Sequence, residues 1–304
     1  MVVFISLRPA TFEQWSTWKG IIESSAVPAI IAMGLTIALI VGDFDLSIGA
    51  VLGLGMGTFV SLAAEHGFSW PVAALIALAV CALVGLANGL LVAWARVNSF
   101  IGTLAMGSVV GGVEAKVTDQ KTISTGLPDS FSHFGSARPG GLSFGLWLAI
   151  VVALVLFGIV RHTESGRYFY AIGSNQEASR LAGVRVRGLR TTGFVVAALA
   201  AGAGGIVLAS QTMSYYPNAG TGYLLPTYAA AFLGTALGAG RFGILATTFG
   251  VLFLQTLQTG LTVINIPPWV VLLTQGVVLM VAVLLSGASD AVSWSRRLRR
   301  RAPA

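Results

Sequence analysis

Two carboxylates stand at i and i+2 in Gly42-Asp-Phe-Asp-Leu-Ser-Ile-Gly49, between apolar runs that carry no charge from Ser24 to Val41 and from Leu46 to Ala64. An Asp at the centre of a membrane helix costs roughly 2.5–3.5 kcal/mol on insertion scales, so such a residue faces a bundle interior or a polar cavity. Residues two apart do not share a helix face, which argues against an acid/base pair. Asp45 directly precedes the apolar run and is assigned the N-cap of a helix starting near Leu46; Asp43 is assigned to the cavity. Ser47, Asn88, Thr103 and Glu114 are the other polar side chains available to line a pathway or bond between helices. The same residues fit a structural role, such as capping a broken helix.

The elements that must position them are apolar helices. Of 304 residues, 55% are hydrophobic and 10% charged, against about 25% charged in a soluble domain, and the mean hydropathy is +0.84. Windows of about 20 apolar residues fall near 22–42, 45–64, 70–94, 99–115, 143–160, 191–213, 222–239, 242–263 and 268–286. The expected fold is all-α: one polytopic membrane bundle over 1–304 with about nine or ten transmembrane helices. Residues 161–190 are a cytoplasmic loop in that reading, and 287–304 a basic cytoplasmic tail.

The net charge of +7 is distributed as topology requires, and not as a nucleic-acid surface. Arg-rich short loops stay cytoplasmic, which places 161–190 and the tail inside, separated by four crossings. Thirteen of the 18 basic residues are then inside; Arg8, Lys19, Lys116, Lys121 and Arg138 are outside. The same count puts 8–21 outside, so 1–7 is read as a remnant of a first helix. Cys81 is alone and supports neither a disulfide framework nor a metal cluster, and His66, His133 and His162 are far apart.

Glycines at 49, 53 and 57, and the pairs Gly85/Gly89, Gly107/Gly111 and Gly234/Gly238, have the four-residue spacing of closely packed membrane helices. Gly53-Leu-Gly-Met-Gly57 lacks a phosphate loop's glycine pattern and strand-turn-helix context. Two stretches interrupt the helices: Gly42–Ser47, and Tyr216–Tyr223 followed by Pro226. Paired breaks in the two halves point to a midplane pathway. In the central loop, Ser174-Asn-Gln-Glu177 fits a capping box. It opens a helix from about Asn175 to Ala182, with Gly183 as the C′ residue. Ala178, Leu181 and Ala182 form a small apolar face on an element too short to be stable alone, which suggests a partner.

The chain resembles the permease subunits of ribose/xylose/arabinose-type bacterial ABC sugar importers. Gly42–Gly49 is similar to that family's GGIDLSVG, Ser99–Leu104 to PFIATL, Gly166–Gly183 to GRxxYAIGGNxEAARLSG, and Asn218–Tyr223 to NxGxGYE. The resemblance implies a homodimer of permeases in the bacterial inner membrane, a cytoplasmic ABC ATPase and a periplasmic sugar-binding protein. It also implies coupling to the ATPase through Glu177, Ala178, Ser179, Arg180 and Gly183, and adds Asn218 and Tyr223 to the pathway or helix-break residues. Ten spans are common in that family. Three departures stand out: Val110–Glu114 replaces an Arg-Gly pair, Leu224-Leu225-Pro226 follows where an acid is usual, and Gly238–Gly243 replaces a GGRG turn.

No Gly-x-x-x-x-Gly-Lys-[Ser/Thr] motif is present, so the chain is expected to be a transport subunit without catalytic residues, metal or cofactor, with ATP on the partner. A proton-coupled secondary transporter using Asp43, Asp45 or Glu114, and a branched-chain amino-acid ABC permease, are the alternatives. A membrane enzyme finds no nucleophile/base or metal constellation to support it.

Overall fold

The computed structural model describes residues 9–237 and 240–299, with side chains described over 11–236 and 240–285. The proposed remnant 1–7, the glycine at 238 and the side chains of the basic tail lie outside what is described. Among the described residues the chain is all-helical apart from one isolated antiparallel bridge, Ile123 with Tyr215.

The principal helices are α1 (Trp15–Ser24), α2 (Ala26–Ile40), α3 (Ile48–Ala64), α4 (Trp70–Gly89), α5 (Ser99–Thr118), α6 (Asp129–Ser136) and α7 (Phe144–His162). They continue with α8 (Glu164–Ser174), α9 (Gln176–Leu181), α10 (Val186–Thr212), α11 (Leu224–Leu237), α12 (Ile244–Val263) and α13 (Pro268–Arg299). Six are long and apolar enough to cross a membrane, and α1 with α2, bent by 43° at Ser25, makes up to seven. The windows at 45–64 and 222–239 are shorter helices, of 17 and 14 residues, because a polar or Pro/Gly interruption consumes the rest of each window. Pro226 sits in the first turn of α11, where the missing N–H costs no intrahelical bond.

α10 is the hub. Two-thirds of its apolar window is buried, and it packs against α2, α3 and α4. Small residues make this possible: an added Cβ at Gly85 would lie 2.7 Å from the Phe194 carbonyl oxygen, and one at Gly55 would lie 2.8 Å from Gly202 Cα. The Gly85/Gly89 spacing thus does the packing expected of it, and Cys81 is simply buried beside Gly55 and Gly202. Gly111 meets nothing within 4 Å.

The central loop holds more structure than its composition suggests. An eleven-residue helix, α8, precedes the expected short one. The capping box is not formed: Ser174 Oγ donates back to the Tyr170 carbonyl, and Asn175 caps α9 by accepting from the Ala178 N–H at 2.9 Å. With Ser174 completing α8, the first non-helical residue, and therefore the cap, falls one position later. Gly183 (φ +83°) closes a Schellman motif with Val184, through bonds to the Arg180 and Ser179 carbonyls.

Candidate functional site at two helix breaks

Non-helical backbone at membrane depth survives only if protein satisfies its polar groups. The first break meets that demand residue by residue. The Asp43 N–H donates to the Ala38 carbonyl at 3.0 Å. The next three N–H groups go to side-chain oxygens of other helices: Phe44 to Ser99 Oγ (3.2 Å), Asp45 to Tyr228 Oη (2.9 Å) and Leu46 to Thr103 Oγ1 (2.9 Å). The Ser47 N–H turns back to Asp45 Oδ1 at 3.0 Å. Gly42 (φ +87°) supplies the left-handed residue that takes the chain out of α2.

The two aspartates do different work from that assigned by their spacing. Asp45 is fully buried, and its Oδ1 accepts from both the N–H and the hydroxyl of Ser47. This is a local turn two residues long, not an N-cap; α3 begins only at Ile48, after Ser47, with no side-chain cap. Asn88 joins by donating to Ser47 Oγ at 2.8 Å. Asp43 is buried and taken up by an ion pair. Its carboxylate receives a two-pronged pair from Arg190, Nε to Oδ2 at 2.7 Å and Nη2 to Oδ1 at 2.6 Å, with both side chains largely buried. Such bidentate geometry is the strong form of the Arg–carboxylate contact.

Glu114 belongs to the second break. Tyr215 donates to Glu114 Oε1 at 2.9 Å and the Asn218 N–H at 3.3 Å. Thr118 lies between them, 2.9 Å from the Glu114 carbonyl and 3.2 Å from Tyr215 Oη. The bridge of Tyr215 to Ile123 satisfies the backbone where α10 ends. Asn218 takes a left-handed φ of +60°. Tyr223 packs by its ring against the core and joins neither network.

α3 connects the breaks. It starts at the first, and its 49/53/57 glycine stripe lies on the second: Gly49 touches the backbone of Gly220, Gly53 lies under the Glu114 carboxylate, and Gly57 under Thr118 and Tyr215. An added Cβ at Gly53 would sit 2.6 Å from Glu114 Oε2.

The central loop reaches the first break from the other side. Gly173 of α8 packs directly on the Ile40 carbonyl at the end of α2, and Tyr170 donates to the Phe242 carbonyl at 2.8 Å. Burial raises the Tyr170 phenol above its ordinary value, with Arg241 and Arg161 pulling it back, so it stays a donor at neutral pH. Among the expected coupling residues, Ser179 is buried. Glu177, Ala178 and Arg180 are exposed, Glu177 paired with Arg180 at 2.5 Å, and Leu181 is 78% exposed.

Sequence reasoning did not find Arg190, Tyr228, Ser99, Tyr215 or Gly173. Arg190 was visible only as a loop charge, and a tyrosine among apolar residues gives no sign of which backbone it will reach. Among the described residues no group of three or more His, Cys, Asp or Glu is placed to hold a metal.

Apolar spans interrupted by irregular backbone, which buried side chains satisfy, define a multi-pass membrane protein. Residues 19–283 match the family described as branched-chain amino acid transport system / permease component, and the chain belongs to that family. It is a transport permease. It is 32% identical over 289 residues to the ribose import permease protein of Escherichia coli K12, covering 94% of this chain and 90% of that one. It is 30% identical to the ribose import permease protein of Bacillus subtilis 168, covering 96% and 91%. The autoinducer 2 import system permease protein of Enterobacter sp. 638 is 34% identical, with 94% and 82% covered. No solved structure matches.

Proposed function

We propose that this chain is the permease subunit of an ATP-binding cassette importer that passes a monosaccharide or related polyol from a periplasmic binding protein into the cytoplasm. The relatives named above import ribose or autoinducer 2, which supports the sugar class over the amino acids in the family's description. The observation that carries the mechanism is that both helices flanking α9 touch the first break or the helix end leading into it, α8 through Gly173 on Ile40 and α10 through Arg190 on Asp43. An ATPase dimer that closes on ATP pushes α9 at its exposed Ala178/Leu181 face, with Glu177, Ser179, Arg180 and Gly183 fixing the helix. The first break moves with it, and α3 carries the motion to Glu114, Asn218 and the second break. ATP can bias the permease only by binding two ATPase states with different affinity.

In this reading 1–304 is one domain, a second copy of the chain completes the pathway, and ATP is bound by the partner alone. Counting the bent pair and the two short helices α3 and α11 as crossings gives nine spans, with 161–190 and the C-terminus cytoplasmic. Asp45, Ser47, Asn88 and Thr103 hold the break's shape, and Tyr223 flanks the path. A proton-coupled carrier would leave without a task the exposed face of α9 and the contacts its two flanking helices make with the first break and the helix end before it.

The test is co-expression with the ABC ATPase of such an importer. Glu177→Arg is expected to abolish co-purification while the permease still folds; unchanged co-purification would remove the coupling assignment. Competition for uptake by ribose but not by leucine would separate the sugar reading from the amino-acid one.

A further inference from the structure

A second charged site lies where α4 and α10 reach the face of the membrane occupied by the central loop. α4 runs on through a π-helical turn, Leu90–Trp94, and the chain leaves it through Arg96, which adopts a left-handed φ of +61°. A cavity of about 440 Å³ opens there, lined by Arg96, Arg180, Arg187 and Arg190, with Glu177 the one carboxylate among its lining residues. Two of the four guanidinium groups are committed, Arg180 to Glu177 and Arg190 to Asp43. Among the described residues Arg96 and Arg187 are in no ion pair. Arg187 instead rests over the Trp94 ring, 5.4 Å from its centroid.

An apolar track ends beside the cavity, at the Trp94 ring that Arg187 covers. Leu83, Leu86, Leu90 and Trp94 fall on one face of the α4 spiral and are 65%, 42%, 49% and 52% exposed. An exposed tryptophan at the end of such a track is the usual marker of the headgroup level. Basic pockets between transmembrane helices are suited to lipid phosphates. We propose that this is a binding site for an anionic phospholipid of the adjoining leaflet, with its phosphate between Arg96 and Arg187 and its acyl chains along Leu83, Leu86 and Leu90. Bound there, the headgroup bridges the end of α4 to the start of α10, one turn from Arg190 and beside Glu177. The site stands on its own geometry and does not depend on what the permease carries.

The full chain, delipidated in detergent and then mixed with phosphatidylglycerol or phosphatidylcholine, is read by native mass spectrometry for retained lipid. Phosphatidylglycerol is expected to be retained preferentially. The Arg96→Ala/Arg187→Ala pair is expected to weaken retention roughly thirtyfold, from two lost basic contacts. Arg96→Lys/Arg187→Lys keeps most of it and guards against a folding defect, and Arg138→Ala, elsewhere on the molecule, changes nothing. Equal retention of the two lipids, or retention unaffected by the double alanine variant, overturns the proposal. Displacement of the lipid by excess glycerol 3-phosphate would reassign the cavity to a free phosphate. Loss of ATPase co-purification in the double variant with lipid retention intact would reassign it to an acidic protein surface.

Discussion

The two breaks solve one problem by opposite means. At Gly42–Ser47 a non-helical backbone is held by side chains that come to it from α5 and α11, and an arginine neutralises the leading carboxylate. At Tyr215–Tyr223 little reaches in; the backbone presses on glycines of α3, and the one carboxylate, Glu114, is held by a phenol and an N–H with no cation in an ion pair to it among the described residues. The first is fastened by specific bonds, the second seated by shape. A fastened break transmits displacement from the loop that fastens it, whereas a shape-seated one can slide when the helix beneath it moves. In the proposed mechanism the first break takes the input and the second gives the response.

The largest expected effect that tests this contrast is at Asp43. Asp43→Ala leaves Arg190 buried and unpaired, and removing one partner of a buried pair costs about 3–5 kcal/mol. Thermal unfolding in detergent should show it, and Arg190→Met in the same chain should recover much of the loss. A single substitution that is silent would mean the break is not fastened there. Next is Gly220→Ala, whose methyl group enters the backbone of Gly49; overpacking of this kind costs about 1–3 kcal/mol. The contrast predicts that it disturbs transport more than its stability loss explains, measured as uptake per folded protein in vesicles.

Tyr215→Phe removes a hydrogen bond to a carboxylate, about 1.5 kcal/mol. It should spare ATPase co-purification entirely, since the second break lies away from the loop; a lost complex would erase the distinction between input and response. The smallest effect separates Asn175 from Ser174. Asn175→Ala should cost about 1 kcal/mol as a lost cap and loosen α9, seen as faster amide exchange over Gln176–Leu181, while Ser174→Ala leaves exchange there unchanged.

Much of the site could be read in the chain. Both interruptions, the burial of Glu114, the short helix ending before Gly183 and the packing role of the 49/53/57 glycines follow from composition and spacing, because membrane burial penalises polar and helix-breaking residues strongly enough to leave a mark. The helix α8 was hidden, since eleven residues of mixed polarity carry no span-like signal. The ion pair of Asp43 was hidden because its partner lies 147 residues away. The capping box failed by one residue because Ser174 is taken up by the helix before it.

The sequence by itself determined that this is a membrane bundle, where its helices break and which few polar residues enter it. Those outcomes depend on transfer free energies and backbone preferences that each residue carries alone. Which carboxylate meets a guanidinium, whose hydroxyls satisfy Phe44, Asp45 and Leu46, and which glycines seat the second break were decided by the tertiary structure. Each of these is a meeting of atoms far apart in the chain, and helix packing alone brings them within hydrogen-bond range.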